Sequence, residues 1–345
     1  MIKVVYLIAS HTNPQQVLRL VKTLRAGSPS AEIVVHHDYS CSYLDSTVFE
    51  RLPHVYVIKD FIPVEWGDFS QVKMMLNAIE WITTHLKFDW LVLISGQDYP
   101  IQPLSQIERF LETTSYDGFI TGVPLNKATP CGQVECSITN SAGNPCPDCV
   151  TRYYYRYYQA SPNLTKMLKK VREYFCKRCA LLQIRSLPGK TKTKIMIGVR
   201  SFLSPFNSEF ECYKGSSWFT LNHRCLQYIR QFVLSSPGFV RYYQRTLMPD
   251  ESFFQTILLN NPSLKILNDN KRLISWQDST SMSPEVLRIQ DFDRIIVSGQ
   301  HFARKFDLNI DAEILDMIDH YTLKTPEVHS SRGGLIDKTN QSHTI

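Results

Sequence analysis

The stretch Trp90-Leu91-Val92-Leu93-Ile94-Ser95-Gly96-Gln97-Asp98-Tyr99-Pro100 decides the architecture. Its first five residues are apolar without alternation, the pattern of a strand covered on both faces inside a mostly parallel sheet. The run then stops on Ser, Gly, Asp and Pro, residues that favour turns. Towards the N-terminus, residues 3–9 form a second, nearly continuous apolar, β-branched run. Asn13-Pro14 then opens a helical pattern carried by Val17, Leu20, Val21 and Leu24. Residues 31–37 and 55–59 read as further strands. Residues 69–86 read as a helix burying Val72, Met75, Leu76, Ile79 and Ile82. Towards the C-terminus come a helix over 104–112 and a strand over 118–121, then, after an irregular stretch, a strand over 217–222 and helices over 223–234 and 251–260. Alternating units of this length predict an α/β fold, a mostly parallel sheet covered by helices, with ligands at the carboxyl ends of the strands.

Composition narrows the class. Of 345 residues 43% are hydrophobic and 20% charged, which excludes a disordered, collagen-like or coiled-coil chain. No apolar run approaches the ~18–20 residues that span a bilayer, and the apolar N-terminal stretch is too short for a signal peptide. The expectation is a cytoplasmic chain. Its 38 Lys and Arg against 32 Asp and Glu leave a net charge of +6. Residues 151–200 alone hold thirteen cations against one acid, Glu173, a local +12 that attracts phosphate on lipid, nucleotide or nucleic acid. An odd total of nine cysteines argues against a complete disulfide framework.

Three polar clusters stand where strands end: His36-His37-Asp38, Glu65-Trp66-Gly67-Asp68 and Ser95-Gly96-Gln97-Asp98. Each alone is ordinary turn chemistry; three on the ligand-binding edge of one sheet mark a site. Five motifs follow in order: Trp66-Gly67-x-x-Ser70, Ser95 to Pro100, Gly215-Ser216-Ser217-Trp218-Phe219-x-Leu221, Pro249-Asp250-Glu251-Ser252-Phe253-Phe254 and Phe302-Ala303-Arg304-Lys305-Phe306. With these the sequence resembles the family of core-2/I-branching β-1,6-N-acetylglucosaminyltransferases and peptide O-xylosyltransferases. The resemblance runs over residues 4–321 apart from 125–200. It implies a GT-A-like nucleotide-sugar-binding fold, and an inverting glycosyltransferase that moves N-acetylglucosamine or xylose from a UDP-sugar to an acceptor hydroxyl with no metal cofactor for catalysis.

Residue by residue, the resemblance makes Glu251 the catalytic base and sets Arg304 and Lys305 against the UDP diphosphate. It places Asp38 near uracil or ribose, Trp66 and Asp98 in the donor pocket, and Arg272 among the donor-binding residues without a stated role. Trp218 is a candidate either for stacking on a sugar face or for the core, beside Ser217, where xylosyltransferases carry an aspartate; that departure leaves the donor sugar open. The chemistry suits the residue types, since an inverting transfer needs a base for the acceptor hydroxyl and cations for the departing diphosphate. The single Asp-x-Asp spacing, Asp291-Phe292-Asp293, falls too late in the chain for a metal site after the central strand.

A single domain over 1–325 is expected, with a Cys-rich basic insertion over 125–200 and a flexible polar tail over 326–345. Within the insertion, Cys146/Cys149 and Cys176/Cys179 form two C-x-x-C pairs suited to a structural zinc, with disulfides or reduced thiols as alternatives. The basic run has two functional readings: peripheral docking on anionic lipid at the inner face of a membrane, suited to a saccharide, lipid-linked or protein acceptor, or nucleic-acid binding around a zinc ribbon. A solvated basic face and a non-catalytic sugar-nucleotide binder complete the alternatives.

Overall fold

A computed structural model describes residues 2–125, 147–161, 164, 181–190, 192–276 and 283–323. The first elements largely alternate: β1 (Val4–Ser10), α1 (Pro14–Gly27), β2 (Glu32–His37), α2 (Ser46–Glu50), β3 (Val55–Val57), α3 (Ser70–His85), β4 (Trp90–Ser95), β5 (Asp98–Pro100), α4 (Leu104–Thr113), β6 (Gly118–Ile120) and β7 (Val123–Pro124). There follow α5 (Pro147–Tyr154), β8 (Tyr155–Gln159), β9 (Leu182–Leu187), β10 (Lys194–Arg200), β11 (Tyr213–Lys214) and β12 (Phe219–Asn222). The rest is α6 (His223–Ser235), α7 (Pro237–Tyr243), α8 (Phe253–Leu259), β13 (Ile266–Leu267), β14 (Arg272–Ile274), α9 (Phe292–Ile296), β15 (Phe302–Arg304) and α10 (Glu313–Thr322).

The central sheet runs β13-β6-β12-β4-β1-β2-β3 and is parallel except at β12, which is antiparallel to both neighbours. This is the expected mixed α/β architecture. Successive side chains of β1 and β4 point to opposite faces. Val5, Leu7, Leu91 and Leu93 join one core with residues of α3, α6 and α8. Val4, Tyr6, Ile8, Val92 and Ile94 join another with α1, α4 and α10. Both faces being covered, these strands need apolar residues at every position. The first helix starts where the sequence sets it: the Asn13 side chain accepts from the Gln16 N–H at 3.2 Å, and Pro14 occupies the first turn.

Two smaller assemblies complete the site. Strands β14, β15 and β5 form a three-stranded sheet in that order, so the late strand β15 lies directly against the turn after β4. Strands β8, β10 and β9 form a separate antiparallel sheet from the basic stretch, which does depart from the α/β rhythm. Among the expected metal ligands, Cys146, Cys176 and Cys179 lie outside the described residues, and only the backbone of Cys149, in α5, lies within them. The tail over 326–345 lies outside them as well.

One local expectation is corrected. Residues 251–260 do not form one helix. Met248 sits in the left-handed region (φ 49°), Pro249–Glu251 make a single 3-10 turn, and Ser252 (φ −141°) breaks it from α8. The buried Ser252 hydroxyl meets the Tyr243 hydroxyl at 2.8 Å, which fixes the chain in the broken form. Glu251 therefore sits on a tight turn beside Gly215, whose N–H donates to the Glu251 carbonyl at 2.7 Å.

Candidate active site

A cavity of about 630 Å³ opens at the carboxyl ends of β1, β2 and β4. Its floor comes from Ser10 to Thr12 after β1, His36 and Asp38 at and after β2, and Ser95 to Gln97 after β4. Trp66, Ser217, Trp218, Met248, Glu251, Trp276 and Arg304 form further parts of its wall. Residues far apart in the chain, from Ser10 to Arg304, thus meet in one place. Gly67 sits behind Trp66 at φ 77°, a conformation that favours glycine, and a Cβ there would press on the Met248 sulfur at 3.1 Å.

Asp38 is almost fully buried and fully engaged. One oxygen accepts from the N–H and hydroxyl of Ser40; the other accepts from the Val64 N–H at 2.9 Å and the Lys190 ammonium at 3.0 Å. Burial alone raises its pKa, but these four donors outweigh burial and hold the carboxyl well below the usual range. Burial lowers the neighbouring His36 imidazole to about 4, so it is neutral and its Nε2 accepts from the Ile62 N–H at 3.0 Å.

A buried charge cluster forms the opposite wall. The Asp98 carboxylate, fully buried, takes a hydrogen bond from Ser95 Oγ at 2.5 Å and lies 3.6 Å from Arg304 Nε. The Arg304 guanidinium stacks on the Trp218 ring, 4.4 Å from its centre. Arg272 lies behind this pair, anchored to the carbonyls of Asn270 (2.8 Å) and Leu93 (3.0 Å) and stacked on Phe302. Burial lowers Arg272 to about 10, partly opposed by Asp98, so it remains a cation at neutral pH. Asp98 and Arg272 therefore act from behind the wall. Lys305 is not among the cavity-lining residues; its ammonium donates at 2.6 Å to Ser283 Oγ, next to the lining residue Pro284.

The third wall carries acids. Glu251 lines the cavity and pairs with Arg152 of α5 at 2.9 Å, with Lys214 at 3.9 Å. Asp250 is buried beside it and accepts from the Ser217 hydroxyl. Burial, then the nearby Glu251 charge, raise the Asp250 carboxyl well above the usual range. Ser217 thus stands against an acid supplied from the next motif. Arg152, Lys190 and Lys194 all come from the basic segment; the first two pair with Glu251 and Asp38, which line the cavity, and Lys194 pairs with Glu65, between the lining residues Val64 and Trp66. That segment directs part of its charge inward, into the site.

The family model for the Core-2/I-Branching enzyme matches residues 4–126 and 152–296, most of the chain, with Arg304 beyond the matched part. The chain belongs to this glycosyltransferase family. Xylosyltransferase 1 of Pan troglodytes and of Homo sapiens are each 30% identical over 156 residues, which is 38% of this chain and 16% of theirs. Xylosyltransferase 2 of Rattus norvegicus is 32% identical over 127 residues, 31% of this chain and 14% of its own. The matched part is thus under a fifth of the length of these relatives. HddC from Yersinia pseudotuberculosis aligns at a TM-score of 0.27 with 13% identity, over 66% of this chain and 79% of its own, too distant to carry an argument.

Within this family frame, the structure brings together Asp38, Trp66, Ser217, Trp218, Glu251 and Arg304 around one cavity. It adds residues that sequence reasoning did not select: His11, Lys190 and Trp276 in the lining, and Arg152 and Lys214 on Glu251. The Asp291-Phe292-Asp293 pair is not among the lining residues; Asp291 accepts from the Arg288 N–H and pairs with Arg294.

Proposed function

We propose that the chain is an inverting glycosyltransferase of GT-A-like fold that transfers a sugar, N-acetylglucosamine or xylose, from a UDP-sugar to an acceptor hydroxyl without a catalytic metal. The observation that carries this reading is the placing of Glu251 and Arg304 on the wall of one cavity. Glu251 takes the proton of the acceptor hydroxyl while its oxygen attacks the anomeric carbon from the face opposite the leaving group. The bond from that carbon to the diphosphate oxygen breaks, and UDP leaves with the electron pair. Arg304, held by Asp98 and stacked on Trp218, meets the negative charge that grows on the diphosphate, which makes its attraction strongest in the transition state.

Asp38, at the end of β2, serves the nucleoside, and Trp66 and Trp218 supply flat faces for the sugar. The Ser217–Asp250 pair offers a hydroxyl and a carboxyl, the kind of groups that read sugar hydroxyls. On this reading the cations of the basic segment that do not face the cleft serve an anionic acceptor surface such as a lipid headgroup layer.

Calorimetric titration with UDP in EDTA tests the donor site: micromolar binding without metal is expected, and its absence removes the reading. Product mass after incubation with UDP-N-acetylglucosamine or UDP-xylose then names the sugar. A rate that rises strongly with Mg²⁺ or Mn²⁺ would show that an ion, not Arg304, handles the leaving group.

A further inference from the structure

Lys190 follows β9 at the edge of the small antiparallel sheet, and Pro188, Gly189 and Lys190 all line the cavity. Its ammonium donates to Asp38 Oδ2 at 3.0 Å and also to Ser40 Oγ. A carboxylate has about four lone-pair positions, and Asp38 already has four N–H and O–H donors, with the Cys41 thiol a weaker fifth contact on Oδ2 at 3.5 Å. It has none left for a uracil N–H or a ribose hydroxyl. Binding a nucleoside there requires one donor to leave. Ser40 is two residues away on the same turn and the Val64 N–H is fixed backbone, whereas Lys190 is 152 positions distant on a flexible four-carbon stem.

The ammonium has a nearby destination. His11, in the loop after β1, lies within electrostatic reach of Asp38, Lys190 and Arg304, and all four line the same cavity. Lys190 and Arg304 thus face one cavity, and the flexible four-carbon stem of a lysine lets the ammonium leave Asp38 and stay within it. We propose that Lys190 is a donor-binding residue that occupies Asp38 in the free protein and passes to the diphosphate when the nucleoside takes its place. Lys190 then supplies the second cation of the phosphate site, from the basic segment rather than from the strand that carries Arg304. The proposal rests on the UDP-sugar reading.

The hand-over makes opposite predictions for two ligands. Titration calorimetry with uridine and with UDP, on wild type, Lys190→Met and Lys190→Arg, reads both. In Lys190→Met, uridine no longer competes with an ammonium for Asp38 and should bind ~3–10-fold more tightly, while UDP loses a charge-assisted contact and should bind ~10-fold more weakly. Lys190→Arg should restore UDP binding to within about threefold, because the charge is kept. A misfolded variant cannot gain uridine affinity, so the crossing pattern is specific. UDP affinity unchanged in Lys190→Met, or equal losses for both ligands, would overturn the assignment. Wild-type protein that binds neither ligand would instead refute the UDP-sugar reading, and the proposal with it.

Discussion

Replacing Asp98 by Asn tests whether the buried carboxylate holds the cationic wall in place. The substitution keeps shape and the capacity to accept from Ser95 Oγ, and removes only the charge. At the 3.6 Å separation from Arg304 and an effective dielectric constant of about 20, the lost attraction is ~4–5 kcal/mol. Asparagine escapes part of the cost of burying an ion, so the net loss should be about 3 kcal/mol, at the low end for breaking a buried pair from one side. Arg272 also feels Asp98, and its own burial leaves it no water to turn to. Urea unfolding should therefore show a lower midpoint with an unchanged slope. UDP should bind ~10-fold more weakly, because among the described residues Arg304 then keeps only Trp218 to aim it. An unchanged midpoint together with unchanged UDP affinity would refute the reasoning.

Glu251→Gln should leave UDP affinity within about twofold and lower turnover by ~10²–10⁴, the contribution of a positioned general base; weaker UDP binding with normal turnover would remove Glu251 from that role. Gly215→Ala should destabilise the fold by ~1–3 kcal/mol or prevent its formation, since the new Cβ would lie 1.7 Å from the Thr121 carbonyl oxygen, and thermal melting reads the loss. Acid should weaken the protein through His36: burial holds its folded pKa at about 4, below the ordinary ~6.5, so its contribution is complete above pH ~6.5 and lost as pH falls towards 4. That loss is up to about 3 kcal/mol, and the stability–pH curve of His36→Gln should be flatter across the same window. An equal slope in both proteins would assign the acid effect elsewhere.

The parallel strands were readable because both of their faces are covered, which forces unbroken apolar runs such as residues 90–94. The short strands β14 and β15 were not: three residues each carry no period, and they exist through pairing with each other and with β5. The same limit applies to the site. Asp38, Trp66, Glu251 and Arg304 could be picked out because each stands in a motif. Arg152 and Lys190 look like any other cations of a basic run, and only tertiary pairing with Glu251 and Asp38 distinguishes them. The break at Ser252 was hidden for a similar reason, since the hydroxyl that sustains it is answered by Tyr243 on another helix.

The amide of Gln16 ties early and late chain together. Its nitrogen donates to the Gly96 carbonyl at 3.1 Å and to the Phe306 carbonyl at 2.9 Å, and its oxygen accepts from the Leu308 N–H at 2.8 Å. The two ends of the Phe306 bond are 290 positions apart. On the ribosome, then, the sheet that forms the floor of the cavity emerges long before the strand that brings Arg304. Until that strand docks, Gln16 lacks its Phe306 and Leu308 partners and Asp98 lacks its cation. Loops this long close slowly, and their entropy is lost before the contacts return any stability. A nascent chain should therefore complete its pocket only late in folding, and a ribosome stalled before residue 304 should display the seven-stranded floor without the cationic wall that β15 brings.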